Sequence, residues 1–526
     1  MSVPPSRTPA DPGLPRGVLL AALVGVALRL VFVLQLRDDP FFDEPVLDAD
    51  LHLRWARAIV AGSPFVEGAY FKAPLYPWFL SLCLRLSDSL LLPRLIQAVL
   101  GGLGIVLVGR LGARLSGALA GTFAAWLAVF AWPLAAYDAE LLIPALYVPL
   151  CLLALELLLR ADDRGPRAAL LAGAALGAAA LARPNVLLFV PPAALWLAWG
   201  ALGERRLRAG LALLAGTVLV LLPITLRNAL TPGGSLVLVS SQAGLNLWIG
   251  NHPAADGTSA VAPGLRPDLD GMVEDAHRQA EAEAGRPLNA GEVSRHFTIK
   301  TLRSVSADPA RALRLFLFKL RLLWSGSELP NTRPLAFFAR RYAPVSAAFF
   351  LGFSPLAVLG AIGLLLTWRD RRGRLLAVWV GITALGIALF FVNDRFRTPI
   401  VPVLCALGGT PAAATFAVLR RSPALQAACG VRPVALLTAA LWTVLLVVLG
   451  LGLPLSGLPG FLGDGRFAPS DAQGHWLLGR QAASQGDLRA AERELNLALA
   501  IHPRLWAAQR ELGLLLVAQG RTAEAR

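Results

Sequence analysis

Charged residues are scarce in this sequence. Only 16% of the 526 residues are charged and 56% are hydrophobic, which is too apolar a balance for a soluble protein of several domains. The apolar residues are concentrated in runs of about 20, the length that an α-helix needs to cross the hydrocarbon core of a bilayer. We therefore predict an all-α polytopic membrane protein.

Cysteines and common catalytic motifs are also few. The four cysteines lie in or beside apolar runs, as small core residues do, rather than in the pattern of a disulfide framework or a metal site; they are Cys83, Cys151, Cys405 and Cys429. The sequence contains no glycine-rich phosphate loop, no arrangement typical of a Ser/His/Asp triad and no His/Cys cluster with metal-ligand spacing. Chemistry that depends on those motifs is not expected.

The net charge of +15 would suggest nucleic acid as a partner if the protein were soluble. Here most arginines stand between apolar runs, which is the pattern of cytoplasmic anchoring and of contact with anionic lipid. No basic domain with interleaved aromatic residues is present. We expect membrane lipids, and no nucleic acid, to face this charge.

Eleven apolar runs are candidate membrane spans. They are residues 17–36, 92–110, 117–132, 141–159, 168–182, 186–202, 209–226, 344–367, 375–392, 399–419 and 433–453. A further run, 74–86, is short and contains Arg85; an interfacial or re-entrant helix there leaves the arginine-rich connections on the cytoplasmic side. The first run is about twice as long as a signal-peptide core, so we interpret it as a retained span. This predicts a multi-pass protein of the cell (inner) membrane, with a cytoplasmic N-terminus and an extracytoplasmic C-terminus.

Two connections on the predicted outer face are long: residues 37–72, the first outer loop, and residues 227–342, a larger loop region. Within the larger region, residues 231–264 are rich in Gly, Pro, Ser and Asn, which indicates loop with at most one hairpin. Residues 271–307 have helical periodicity. Residues 309–325 place cationic side chains among Leu, Phe and Trp, which predicts a helix in the membrane interface.

The C-terminal segment has a different character. Residues 475–479 and 509–513 are related by an offset of 34 residues, and the pattern from Gly486 to Pro503 resembles a tetratricopeptide repeat. The second copy reaches Arg526 within its second helix, so we expect an incomplete repeat that packs on the membrane part, on a partner or on further sequence. The predicted organisation is a cytoplasmic tail, a membrane domain, a linker and a repeat segment: residues 1–16, 17–453, 454–469 and 470–526.

Four carboxylates stand close together in the first outer loop. Asp43, Glu44, Asp48 and Asp50 lie near a predicted membrane boundary, where charge is costly and tends to be functional. Asp48 could act as a general base toward an acceptor hydroxyl, or ligate a divalent cation. The alternative is a solvated N-cap of the helix that follows, although capping needs one acid at most.

Two further residues near this segment each have two interpretations. Lys72 could hold a lipid phosphate as a point charge, or it could be an ordinary snorkelling lysine. Glu140 lies in a short turn between predicted spans. It could lie opposite Asp48 and complete a metal or acceptor site, or it could only keep the turn hydrated.

Arginines also occur at the predicted outer ends of spans, against the positive-inside trend. Arg183, Arg395 and Arg397 could bind a polyprenyl (pyro)phosphate, or pair with an outer-loop acid such as Asp394. The stretch 242–251 is polar, aromatic and punctuated by glycine. It fits a loop that contacts a sugar or acceptor, and a plain hairpin explains its glycines equally well.

The order of these features resembles the membrane glycosyltransferases of the GT-C superfamily, especially the family-39-like group of protein O-mannosyltransferases and the lipid A aminoarabinose transferase. The similar features are an acidic segment after the first span, a helix containing Trp55, and the motif Lys72-Ala-Pro-Leu-Tyr76. Ala73 replaces the first proline of the family's Lys-Pro-Pro-Leu motif. The resemblance covers roughly residues 15–420 and extends to members that carry C-terminal tetratricopeptide repeats.

The resemblance implies about eleven spans of GT-C type and transfer of a sugar from a polyprenyl-phosphate-linked donor to a protein, lipid or glycan acceptor on the outer face, with inversion. It implies catalytic roles for Asp48 and Glu140, donor-phosphate binding by Lys72, Arg183, Arg395 and Arg397, and substrate contacts by His52, Tyr76, Asn246 and Asn251. Asp48 and Glu140 could also hold a divalent cation, Mg²⁺ or Mn²⁺. The repeat segment could bind a protein partner.

Two other functions fit the spans. A polytopic transporter of lipid or solute should show an internal repeat across its halves and broken helices at the midplane. A non-catalytic membrane scaffold would use the repeat segment to recruit partners and would not need Asp48. No such internal repeat is visible and the acids gather at one face, so we favour the transferase.

Overall fold

A computed structural model of the chain describes residues 13–63, 65–66, 68–199, 204–266, 268–326, 328–330, 332–424 and 470–525. Within these ranges the chain is helical and forms no β-strand; one isolated backbone bridge joins Ala131 and Leu351. The prediction of an all-α protein is confirmed for this part of the chain. The predicted span 433–453 and the linker 454–469 lie outside the described residues.

The membrane part contains helices of very different lengths. They are α1 (Arg16–Gln35), α2 (Asp48–Val60), α3 (Leu75–Leu86), α4 (Leu91–Phe130), α5 (Trp132–Asp138), α6 (Pro144–Arg164), α7 (Pro166–Ala182), α8 (Val190–Ala198) and α9 (Glu204–Leu230), followed after the outer region by α16 (Phe353–Thr367), α17 (Arg371–Ala388), α18 (Asp394–Arg397) and α19 (Val401–Leu419).

Among the described residues, five helices are long and apolar enough to cross a membrane: α1 with the turn that follows it, α4, α6, α9 and α19. Helices α3, α7 and α16, and α8 with the 3₁₀ turn before it, are apolar but shorter. The chain is therefore rich in membrane-type helices. The number of spans, eleven, stays a prediction.

Helix α4 is a helical hairpin. Its backbone leaves helical geometry at Ser116 and Gly117, and Gly117 has φ +84°, a value that favours glycine. The two arms pack closely against each other. A Cβ at Gly121 would overlap the carbonyl oxygen of Gly109, so glycine at this position permits the close approach. The separate spans predicted for 92–110 and 117–132 are these two arms.

Charged residues gather where the first arm of α4, α6 and the start of α17 meet. Glu156, only 1% exposed, accepts hydrogen bonds from Arg110 (2.8 Å), Arg114 (3.0 Å) and Arg160 (3.0 Å). Arg372 adds a bond to the carbonyl of Arg114 at 3.1 Å. Arginines from three of the predicted cytoplasmic connections therefore lie together near the Ser116 end of the first arm of α4, and the side of the membrane on which they lie stays a prediction.

The large outer region is more helical than its composition suggests. It contains α10 (Ala243–Asn251), α11 (Leu269–Ala284), α12 (Ala290–Ala307), α13 (Pro309–Leu323), α14 (Leu335–Tyr342) and α15 (Pro344–Ala347). The expectation of loop or hairpin over 231–264 is wrong for α10. A Cβ on Gly244 would overlap the carbonyl oxygen of Ser294 in α12, so this glycine permits a close helix crossing and is not a turn residue.

Three helices form the C-terminal segment: α20 (Ser470–Ser484), α21 (Leu488–Ile501) and α22 (Trp506–Ala518). The turn between α20 and α21 uses Gly486 at φ +82°. Ala491, Leu495 and Ala508 form their shared core. Helix α20 also packs against α14 of the outer region. Stacked helices agree with the predicted repeat, although its assignment as a tetratricopeptide repeat stays a prediction.

Candidate active site

Asp48 is the first residue of α2, directly after Leu47, whose φ is +54°. The N-cap residue of α2 is Leu47, so the interpretation of Asp48 as the N-cap is wrong. One carboxylate oxygen accepts from Nζ of Lys72, and the other accepts from the guanidinium of Arg395. The three side chains are 17%, 14% and 10% exposed respectively. The fold thus brings together one candidate base and two cations from three separate parts of the chain.

Lys72 is held in place by contacts of the segment before it. The N–H of Tyr70 donates to the side chain of Asn228 at 3.1 Å, and the N–H of Ser241 donates to the carbonyl of Tyr70 at 2.9 Å. The guanidinium of Arg227 lies 3.8 Å from the centroid of the Tyr70 ring. The end of α9 therefore fixes the segment before Lys72 and so positions Lys72 beside Asp48.

Arg395 belongs to the single-turn helix α18. The side chain of Asn393 caps that turn by accepting from the N–H of Phe396 at 3.1 Å. Arg183 lies over the Phe396 ring, 3.8 Å from its centroid, and so stands beside Arg395 without contacting Asp48 directly in the described contacts. Arg397 points elsewhere: it pairs with Asp394 and donates to the carbonyl of Ser325 at 2.6 Å. The pairing with Asp394 that the sequence offers as an alternative applies to Arg397.

The electrostatics of the site follow from burial and from the two cations. Burial alone would raise the pKa of Asp48, but Lys72 and Arg395 outweigh it and hold that pKa well below its usual range. His52, one helical turn further along α2, is fully buried, and both of its ring nitrogens lack a hydrogen-bond partner. Burial and the neighbouring Lys72 lower the pKa of His52 to about 3, so its imidazole is neutral. A neutral imidazole can donate one hydrogen bond and accept another.

Tyr76 packs edge-on against His52, with ring centroids 5.1 Å apart. Its hydroxyl is already engaged, because it donates to the side chain of Gln97 at 2.6 Å. Gln97 in turn donates to the carbonyls of Asp138 and Glu140 at 2.9 and 2.8 Å. Tyr76 therefore supports the wall of the site through this network.

Glu140 is buried and paired with Arg333, which also binds Asp39 at the start of the first outer loop. Glu140 thus belongs to an ion triad with Arg333 and Asp39, and its catalytic role stays a prediction. Both oxygens of Asp48 hold cations of the protein, and the described residues contain no group of three His, Cys, Asp or Glu side chains that could bind a metal ion. A divalent cation held by Asp48 and Glu140 stays a prediction.

The two predicted asparagine contacts lie in α10. Asn251 donates to the carbonyls of Leu247 and Leu389, both at 2.8 Å, and accepts from the buried Lys319 at 2.9 Å. Its side chain therefore joins α10 to α13 and to the residue that follows α17. Asn246 is half-buried in the middle of α10. Substrate contact by either residue stays a prediction.

Sequence reasoning missed Arg333 and Gln97. Each is a polar residue whose partners lie far away in the chain, and no local pattern reveals such pairings. Arg333 stands in an irregular stretch between helices, and Gln97 is a buried polar residue in the largely apolar first arm of α4. The position of Gln97 in a membrane-type helix was a usable signal, since polar groups there need partners.

Comparisons with known proteins agree with the motif-based resemblance. Residues 71–226, which begin one residue before Lys72, match the family described as dolichyl-phosphate-mannose-protein mannosyltransferase. No curated protein matches the chain.

Among solved structures, the chain is similar to the archaeal oligosaccharyltransferase AglB from Archaeoglobus fulgidus in complex with an inhibitory peptide and a dolichol-phosphate (17% identity, TM-score 0.47, covering 90% of this chain and 59% of that one). It is also similar to ArnT from Cupriavidus metallidurans bound to undecaprenyl phosphate (20% identity, TM-score 0.33, covering 77% and 80%). The chain thus spans about three fifths of the AglB length. The predicted resemblance to the GT-C glycosyltransferases is confirmed by the family match over residues 71–226.

Proposed function

We propose that the protein is an integral membrane glycosyltransferase that moves a sugar from a polyprenyl-phosphate-linked donor to an acceptor on the extracytoplasmic face. The observation that carries this proposal is the carboxylate of Asp48 held between Lys72 and Arg395, just outside the apolar helices. Two cations at a membrane boundary suit a lipid phosphate, and a carboxylate between them suits an acceptor hydroxyl. The family match, which begins beside Lys72, supports the same chemistry.

The reaction we propose is a single displacement with inversion. Asp48 takes the proton of the acceptor hydroxyl while the hydroxyl oxygen attacks the anomeric carbon of the sugar. The bond between that carbon and the phosphate oxygen breaks, and the lipid phosphate leaves with the bonding electrons. Lys72 and Arg395, fixed in a poorly hydrated site, stabilise the negative charge that develops on the phosphate.

Supporting roles fall to residues around this centre. Arg183, which stacks on Phe396 beside Arg395, adds positive potential for the donor phosphate. His52 offers both a donor and an acceptor nitrogen to a substrate hydroxyl once the site opens. Arg397 acts by holding α18 through Asp394 and Ser325.

The orientation we propose places Asp48, the outer region and the C-terminal segment on the extracytoplasmic side. Two observations support this. Helix α20 contacts α14 and the first outer loop, so it lies on the same side as Asp48. The arginine-rich cluster around Glu156 lies at the opposite end of the helices, as the positive-inside trend requires.

The test is release of labelled sugar from a polyprenyl-phosphate-sugar by the purified protein in detergent or nanodiscs. The parent should turn the donor over, whereas Asp48→Asn should lose turnover and Lys72→Ala should bind the donor about tenfold or more weakly. Asp50→Asn is the matched control, since Asp50 lies on the same helix and pairs only with exposed partners such as Arg54 in the described contacts. Donors that are neither bound nor turned over would refute the transferase and favour a scaffold or transporter.

A further inference from the structure

The C-terminal helical segment, residues 470–525, packs directly onto the loop that carries Asp48. Leu477 and Leu478 of α20 form one apolar cluster with Phe41 of the first outer loop and with Phe337 and Phe338 of α14. All five residues are less than 10% exposed. A cluster this well covered fixes the elements that meet in it.

Polar contacts surround that cluster. Arg340 of α14 pairs with Asp471 of α20, and Arg341 approaches Glu494 of α21 at 3.4 Å. Gln481 of α20 donates to Glu44, which stands four residues before Asp48. These contacts connect the segment both to α14 and to the first outer loop itself.

The same loop is anchored from its inner side. Arg333 binds the buried carboxylate of Asp39 and lies over the Phe338 ring, 4.9 Å from its centroid. Phe338 meets Phe41 edge to face, with centroids 5.3 Å apart. The stretch from Asp39 to Asp48 is therefore held between the membrane part and the C-terminal segment.

The backbone at the end of this stretch is strained. Leu47 has φ +54°, a region that L side chains rarely adopt, and its own side chain is 48% exposed and contributes little packing. Such a conformation persists only where the residues around it are fixed on both sides. Here Val46 packs against the cluster, while Asp48 is held by Lys72 and Arg395.

We propose that the C-terminal segment is a positioning element of the active site: by clamping residues 41–46 it forces the turn at Leu47 that aims Asp48 at Lys72 and Arg395. This role rests on the proposed function of Asp48. The segment then differs from a freely tethered recruitment module, because displacing it alters the geometry of the base.

Gly474 offers a sharp test. A Cβ at this position would overlap the ring of Phe337, so Gly474→Val drives α20 away from α14. Phe337→Ala removes the ring, and the double variant should relieve the overlap. Gly513→Val is the matched control, because a Cβ there meets only the carbonyl oxygen of Ala525, at 3.7 Å.

The first readout is amide hydrogen exchange of the peptide covering residues 41–53 in the full-length protein. We expect Gly474→Val to speed its slowest exchange by about tenfold, and the double variant to return toward the parent. The control should match the parent. Faster exchange confined to residues 470–525, with the 41–53 peptide unchanged, would overturn the proposal.

The second readout is turnover of the polyprenyl-phosphate-sugar. Gly474→Val should lower kcat by about tenfold without weakening polyprenyl-phosphate binding, because Lys72 and Arg395 are anchored elsewhere and Asp48 competes less well for them. A parent without turnover would refute the proposed function, yet the exchange measurement would still decide whether the segment clamps the loop. If Gly474→Val does not fold, Phe337→Ala alone should speed exchange of the same peptide, since it removes the ring packed against His475 and Phe338.

Discussion

The pairing of Asp48 with both Lys72 and Arg395 leads to a prediction about how tightly the donor phosphate binds. In the structure, the carboxylate occupies the two cations that the donor phosphate would use. Under the proposed function, the phosphate displaces Asp48 and in doing so frees it to act as the base. Neutralising Asp48 should abolish turnover and, at the same time, make the lipid phosphate bind more tightly.

The expected gain in phosphate affinity follows from the two hydrogen bonds that Asp48 accepts from Lys72 and Arg395, because these bonds compete with those of the phosphate. Hydrogen bonds to charged groups contribute about 1.5–3 kcal/mol, roughly twice the value of neutral ones. Asp48→Asn keeps one acceptor oxygen but loses the charge. The interaction of residue 48 with each cation therefore weakens by about 1–1.5 kcal/mol. Partial exposure of the three side chains reduces this sum. We expect a gain in phosphate affinity of about 1.4 kcal/mol, which is about tenfold in Kd.

The assay is titration of nanodisc-embedded protein with polyprenyl phosphate that carries no sugar, so that chemistry does not contribute. Asp50→Asn serves as the control for loss of one negative charge on α2, and its Kd should equal that of the parent. Equal or weaker binding by Asp48→Asn would refute the reasoning, because it would mean that the phosphate does not take the place of the carboxylate.

The same competition gives the sign of the pH dependence. In the free protein the pKa of Asp48 is well below its usual range, so the carboxylate stays ionised and the stability from this pairing is present above the unfolded pKa and lost as pH falls through the folded one. Once phosphate draws away Lys72 and Arg395, burial dominates and the pKa rises. The acid limb of kcat should therefore lie at higher pH than that of kcat/KM for the donor. Coincident limbs would contradict this.

Further substitutions test other parts of the structure. Lys72→Ala should weaken polyprenyl-phosphate binding by about tenfold or more, whereas Lys72→Arg should retain part of it, as the titration above would show. Gly244→Val should cost about 1–3 kcal/mol and lower the thermal midpoint, while Gly381→Val, with nothing within 4 Å, should not. Arg333→Met leaves two buried carboxylates unpaired, at a cost of about 3–5 kcal/mol, and adding Glu140→Gln should recover part of the lost midpoint. Chelation with EDTA tests the predicted divalent cation: turnover that EDTA abolishes and Mg²⁺ or Mn²⁺ restores would support it, and turnover that EDTA leaves unchanged would contradict it.

The sequence was informative where function depends on residue type near a membrane boundary. Charge beside lipid is costly, so Asp48, Lys72 and Arg395 stood out against the apolar runs, and the structure brings these three together. Their convergence could not be read from spacing, because they are contributed by segments up to 347 residues apart. The resemblance to a family supplied the link that local pattern lacks.

The same reasoning was less informative where an acid has a distant structural partner. Glu140 looked like an exposed turn residue or a second catalytic acid, because its neighbours in sequence gave no hint of Arg333, 193 positions away. Likewise, the glycines of α10 looked like turn residues, although Gly244 serves a helix crossing with Ser294. Local composition describes what a segment can do alone, and tertiary contact then selects among those possibilities.

The acids at the two ends of the first outer loop have different roles. One anchors the loop, and the other takes part in the proposed chemistry. Asp39 at its start is buried and fully paired with Arg333, so it anchors the loop to the membrane part. Asp48 at its end is paired with cations that the proposed substrate also needs, so its interactions are exchangeable. The loop is fixed at Asp39, whereas the ion pairs of Asp48 can be replaced by ion pairs with a phosphate. A phosphate can therefore take the place of the carboxylate without a movement of the helices. The strained turn at Leu47 lies between the two, and it is the position through which the C-terminal segment would act on the base.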